Sequence, residues 1–299
     1  MPRLPAKPAI NLPRVIFVTG KGGAGKSTIA VALALALARR HRVTLVELGP
    51  RQSMANAIAA ISNPSNKDDI QLTLTQLTPR GELEAFVEGI VPIKMIARRM
   101  LQSRTFGFVT TALPGLEAFL MLDRLRRIAL GARQQEFVVV DAPATGGALE
   151  MLTVADRVGE IAPFGTLHRL AGEVAEFLQT PERFAVTMTL RPEALALRET
   201  IVAVQALRAA RIACTTTILN AVTSALFSTA EIMQLDRIPV HRQLAESRRA
   251  QAESAKHVEG ELRDVGLATV RLPTLYRASL ERENLEVLAD LLEAEFIAR

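Results

Sequence analysis

Nine residues, Gly20-Lys-Gly-Gly-Ala-Gly-Lys-Ser-Thr28, follow the apolar run Val15-Ile-Phe-Val18. Within them a glycine, four residues, a second glycine, a lysine and a serine succeed one another. Gly20, Gly22, Gly23 and Gly25, with the small Ala24 between, let successive backbone N–H groups point into one concavity, which suits phosphate oxygens. Lys26 would then reach the β- and γ-phosphates of a nucleotide. The Ser27 hydroxyl, followed by Thr28, would bind Mg²⁺. Such a loop needs a strand before it and a helix after it. Residues 15–19 read as a short apolar strand. Residues 29–40 are rich in Ala and Leu, good helix formers, and the helix start adds its positive dipole end to the same anion.

A second stretch completes the chemistry. In Phe137-Val-Val-Val-Asp141 four apolar residues run into a carboxylate. At the edge of a sheet Asp141 would hold Mg²⁺, commonly through water. The following Thr145-Gly146-Gly147 reads as a turn whose N–H groups can shift when a γ-phosphate arrives. An apolar strand ending in Asp says little alone, but paired with the Gly20 loop it is specific.

The elements that must position these groups are legible as an alternation. Candidate strands are 15–19, 43–48, 70–77, 137–141, 185–190, 215–219 and 269–272, several of them continuous apolar runs as strands buried on both faces require. Helical patterns lie between them, so the expected fold is α/β, a doubly wound, mainly parallel sheet with helices on both faces. Gly20 and Asp141 both fall beyond the carboxyl ends of strands, where ligands of such sheets bind. Two helical blocks, about 81–132 and 148–180, interrupt the alternation and read as a helical layer beside the sheet. Residues 242–263 form a charged helix of mixed sign, a solvated face. The last helix, 282–299, has Leu285, Leu288, Leu292 and Phe296 at helical spacing opposite an acidic side, which fits packing on the sheet better than an anionic membrane surface. Residues 1–13 read as a flexible tail, and 14–299 as one nucleotide-binding domain.

Composition excludes several classes. The single cysteine, Cys214, rules out a disulfide framework and any two-cysteine metal clasp within one chain. The net charge of +5 is mild and interleaved, with no Trp and one Tyr, so neither a basic face nor a base-stacking platform for nucleic acid is expected. No run of eighteen apolar residues occurs, and the N-terminus lacks an apolar signal region, so no stable membrane insertion and a cytoplasmic location are expected.

The loop contains a second lysine, Lys21. It resembles the deviant Walker A loop, in which this lysine reaches across a dimer interface to the partner's nucleotide. Asp141-Ala-Pro-Ala-Thr-Gly-Gly-Ala-Leu resembles the second switch of the arsenical-pump ATPase (ArsA) family, which includes the tail-anchored-protein targeting ATPases. Leu190-Arg-Pro-Glu-Ala-Leu-Ala-Leu-Arg-Glu-Thr200 is similar to a Pro-Glu…Glu-Thr segment of that family. Asn220 matches its adenine-reading asparagine, and Val270-Arg-Leu-Pro273-Thr-Leu-Tyr-Arg277 resembles the loop that packs on adenine. The resemblance implies a dimeric switch driven by ATP and Mg²⁺, with Lys21 and Lys26 catalytic, controlling a hydrophobic protein or membrane-protein client.

The first switch departs from the family. Asp-Pro-Ala-His, followed by a hydrolytic Asp, is expected there. This chain has Glu47-Leu-Gly-Pro-Arg-Gln52-Ser-Met-Ala-Asn56. Read without gaps, Gly49 replaces the first Asp and Asn56 the hydrolytic one. An amide orients water but cannot accept its proton, which leaves Glu47 or Gln52 to position it. Losing a comparable contact costs about 3 kcal/mol, so slow hydrolysis is expected from this chain alone. The family's paired and clustered cysteines are absent, which argues against arsenite pumping. The single phosphate loop calls for a second subunit, either another copy or a paralogous ATPase. Two alternatives stand: a hydrolysis-poor regulatory subunit of a heterodimer, and a positioning ATPase of the MinD/ParA kind.

Overall fold

The computed structural model describes residues 12–49, 71–90, 114–132, 136–234, 239–275 and 282–297. Seven strands form one sheet: β1 (Val15–Gly20), β2 (Arg42–Leu48), β3 (Leu72–Leu77), β4 (Glu136–Ala144), β5 (Phe184–Leu190), β6 (Cys214–Val222) and β7 (Ala268–Pro273). Their order is β3-β2-β4-β1-β5-β6-β7, and every pairing is parallel. The expected parallel sheet is thus present, and among the described residues no strand runs antiparallel. The reason lies in the connections: each described crossover carries a helix, and parallel neighbours need one.

The described helices are α1 (Lys26–Ala38), α2 (Pro79–Ile90), α3 (Leu116–Gly131), α4 (Thr145–Leu152), α5 (Val154–Ile161), α6 (Gly165–Gln179), α7 (Ala194–Ala209), α8 (Thr229–Gln234), α9 (Pro239–Asp264) and α10 (Arg282–Leu292), which runs on into a π-helical turn at Glu293–Ile297. They divide unequally over the sheet. One face is covered by α1 and α10, which share a core with Ile16, Val18, Val43, Leu45, Phe137 and Val139. The other face packs Phe17, Val46, Val138 and Val140 against Phe119 and Leu125 of α3, Met151 of α4, Val174 and Phe177 of α6, and Leu197 of α7. The described parts of the helical blocks read from the sequence therefore rest directly on the sheet and share its core.

Helix α1 is apolar on every side, unlike an ordinary amphipathic surface helix. The sheet lies under it, α10 lies over it, and 11 of its 13 residues are buried. Fully buried Ile29, Leu33 and Leu37 each contribute about 1.5–3 kcal/mol. Ion pairs from Arg39 to Asp290 and Glu293, and from Arg40 to Glu293, tie its end to α10 and the turn beyond. On the opposite face, Asp123 of α3 is buried but compensated: Arg126 and Arg127 both donate to it, and Arg126 also pairs with Glu173 of α6.

Candidate nucleotide site

Strand β1 delivers the loop. At Gly20 the chain leaves the sheet with φ 151°, and a Cβ there would stand 1.9 Å from the Thr189 carbonyl oxygen of β5. Only glycine passes that point. Gly23 and Gly25 are left-handed, and Gly25, with φ 89°, caps α1. Lys26 is the first helical residue and is buried, and its Nζ donates to the Lys21 carbonyl oxygen at 3.3 Å. Gly22 and Gly23 are exposed, whereas Ala24 is buried.

The Ser27 hydroxyl donates to Asp141 Oδ2 at 2.7 Å. This bond joins the first turn of α1 to the carboxyl half of β4, across 114 positions of sequence. Thr19 reinforces the junction by donating to the Pro143 carbonyl at 2.7 Å. A hydroxyl and a carboxylate together are hard oxygen donors of the kind Mg²⁺ takes. Among the described residues no three His, Cys, Asp or Glu side chains cluster as a metal site. A divalent ion at Ser27 and Asp141 would thus draw its other ligands from phosphate and water, as such ions do in nucleotide sites.

Lys21 stands at the rim. Its Nζ lies 3.6 Å from Glu199 Oε1 of α7, and both side chains are partly exposed. Asn220, near the end of β6, turns its amide onto the loop: Nδ2 donates to the Ala24 carbonyl at 2.9 Å and Oδ1 accepts from the Ala221 N–H. Ala221 is left-handed at φ 55°, a conformation a non-glycine residue adopts under constraint. Pro273 is the last residue of β7 and is exposed. A cavity of about 600 Å³ opens at this edge, walled by Arg191, Pro192, Ala221, Thr223, Arg248 and Thr274. Its walls thus include the immediate neighbours of both Asn220 and Pro273.

The structure corrects one expectation. Thr145 and Gly146 do not form a free turn, because β4 runs on to Ala144 and Thr145-Gly146-Gly147 opens helix α4. Any movement at this switch therefore carries a helix with it. Glu47 is buried at the carboxyl end of β2. Gly49 has φ 105° and nothing near its missing side chain. Gln52 and Asn56 lie outside the described residues, and so does Arg277. The sequence reading did not foresee Glu199 as the partner of Lys21. Nor did it foresee Thr19, whose only signal is a hydroxyl residue just before the loop.

Burial shifts two described groups that lie away from the phosphate loop. Burial pushes the Cys214 thiol up to about 12, so it stays neutral and unreactive. Burial also raises the Glu82 carboxyl, against the lowering pull of Arg124 and Arg127. Among the described residues no helix is long and apolar enough to cross a membrane.

A parallel sheet with a glycine-rich loop between β1 and α1, and a strand carboxylate hydrogen-bonded to the loop serine, defines a P-loop NTPase. The sequence profile of the anion-transporting ATPase (ArsA ATPase) family matches residues 13–164, and the chain belongs to that family. It is 28% identical over 207 residues to ATPase BagA of Mycobacterium tuberculosis, covering 65% of this chain and 61% of that protein. A protein of Aquifex aeolicus provisionally named arsenical pump-driving ATPase 2 is 25% identical over 151 residues, covering 49% of this chain and 50% of that protein. The chain thus spans about three fifths of the length of the first of these relatives.

Proposed function

We propose that this chain is a Mg²⁺-ATP-binding switch that works as a dimer and hydrolyses ATP slowly. The observation that carries this reading is the Ser27–Asp141 hydrogen bond, which brings the hydroxyl and the carboxylate of a nucleotide-metal site together from distant elements. The loop N–H groups and Lys26 bind the phosphates. Ser27 and Asp141 hold the magnesium, which when bound neutralises charge on the phosphates. The nucleoside end fits the cavity beside Asn220 and Pro273. To act there, Asn220 must release the Ala24 carbonyl. Lys21 sits half exposed at the rim, available to a second subunit once it leaves Glu199.

An apolar client fits the helical face. Ile161 and Phe164, at the α5–α6 junction, are 51% and 86% exposed. That junction lies one helix, α5, beyond α4, the helix opened by the switch residues.

Calorimetry tests the reading. Mg²⁺-ATP binds the folded chain, and Lys26→Ala weakens it roughly 10- to 100-fold, the worth of a charged hydrogen-bonding group. Absence of any uptake at millimolar nucleotide would end the proposal. Gly49 favours a second reading, a regulatory subunit with little hydrolysis of its own, because it offers no side chain where the family has a carboxylate. The ATPase rate with and without a paralogous partner decides between them. Stimulation abolished by Lys26→Ala in this chain supports the switch, and an unchanged rate supports the regulatory subunit.

A further inference from the structure

The alternation along β2 and β4 places a second carboxylate at the metal end of the site. Val43 and Leu45 of β2 face the core shared with α1, and so do Phe137 and Val139 of β4. Val46, Val138, Val140 and Ala142 face the opposite core. Successive side chains of a strand alternate faces, so Glu47 and Asp141 continue the first series and both point toward α1. They are also direct register partners on neighbouring parallel strands, whose backbones stand about 4.8 Å apart. Ser27 meets Asp141 from the first turn of α1 on that same face. Both carboxylates are buried, at 3% and 5% exposure.

Two like charges side by side in a buried place repel strongly unless cations answer them. Lys26, buried one position before Ser27, turns its ammonium to the Lys21 carbonyl in the phosphate loop. A divalent ion beside Asp141 would bring positive charge to both carboxylates. From this geometry we infer that Glu47 is a positioning residue for the magnesium of the nucleotide complex. It accepts hydrogen bonds from the metal's water shell next to Asp141, and in doing so raises metal affinity. This goes beyond assigning Glu47 to a switch: its task lies with the metal rather than with the phosphate loop. The inference rests on the reading that the loop holds Mg²⁺-nucleotide.

The test separates the two. ADP binding is measured first in EDTA and then across a Mg²⁺ titration, with Mn²⁺ followed by electron paramagnetic resonance as a direct report of metal occupancy. Glu47→Gln keeps the shape and removes the charge. It should bind ADP in EDTA as the parent does, and bind Mg²⁺ and Mn²⁺ in the ADP complex roughly 10- to 100-fold more weakly, the usual loss when an outer-shell ligand partner is removed. Should that variant not fold, Glu47→Asp carries the same test, because its carboxylate is withdrawn by one methylene. Metal affinity unchanged in the folded variant overturns the inference while leaving the nucleotide site intact. Failure of the parent itself to bind ADP would instead sink the nucleotide reading on which it rests.

Discussion

The two flanks of the phosphate loop are built differently. On the β4 and β2 flank, Ser27, Asp141, Glu47 and Thr19 are fixed by burial, strand register and hydrogen bonds within one chain. On the α7 flank, Lys21 meets Glu199 at 3.6 Å, with both side chains partly open to solvent. An exposed pair of this kind contributes little stability and is readily exchanged. The contrast bears on the proposed dimer. The flank proposed for the metal is built within one chain, whereas the Lys21 flank holds a cation on a loose contact, which is what the proposed exchange for a second subunit requires.

The largest expected effect strikes the fixed flank. Gly20→Ala drives a methyl group into the Thr189 carbonyl at a left-handed position. It should cost about 3 kcal/mol or more and lower Tm by on the order of 10 °C, read by calorimetry. Unchanged melting would mean that β1 and β5 are not so closely joined, and the contrast would weaken.

A middle-sized effect probes how dry the packed interior is beyond the site, at the start of β6. Burial pushes the Cys214 thiol from its ordinary 9.0 up to about 12 in the folded chain. Its contribution is therefore fully present below pH 9 and is lost as pH rises toward 12, at about 1 kcal/mol per pH unit. At pH 8 the native thiol should resist iodoacetamide, and it should react once the chain is unfolded in urea. Rapid native labelling would show an interior open to solvent.

The smallest effect on stability should come from the loose flank. Lys21→Ala should shift stability by under about 1 kcal/mol and leave nucleotide affinity of the isolated chain nearly intact. It should nevertheless weaken ATP-dependent self-association or partner association roughly 30-fold or more, measured by light scattering. Glu199→Gln should leave association intact or strengthen it. A loss of nucleotide binding in Lys21→Ala without any change in association would reverse the roles assigned to the two flanks.

Much of this was legible in residue order. The inner strands β1 and β5 announce themselves because a strand buried on both faces is nearly all apolar, whereas the edge strands β3 and β7 show only alternation. The loop announces itself because few residues other than glycine can make its backbone turns. Strand ends were less legible. β4 runs to Ala144 and β6 to Val222, both beyond the expected 141 and 219, because backbone pairing resumes past a register shift, Ala144 with Gly20 and Val222 with Pro273, where the side-chain pattern gives no signal. The helical start at Thr145 was hidden by Gly146 and Gly147, poor helix formers whose conformation here is set by packing on β4. The Lys21–Glu199 contact and the Glu47–Asp141 register join positions far apart in the chain, and no local pattern encodes them.

Helix α1 is walled in by the sheet below and by α10 above, with its last turn stapled through Arg39 and Arg40. A rod gripped on all sides cannot tilt or slide when nucleotide comes and goes. It acts as an anvil, so that in the proposed switch the element free to move is α4, which the Thr145-Gly146-Gly147 segment opens.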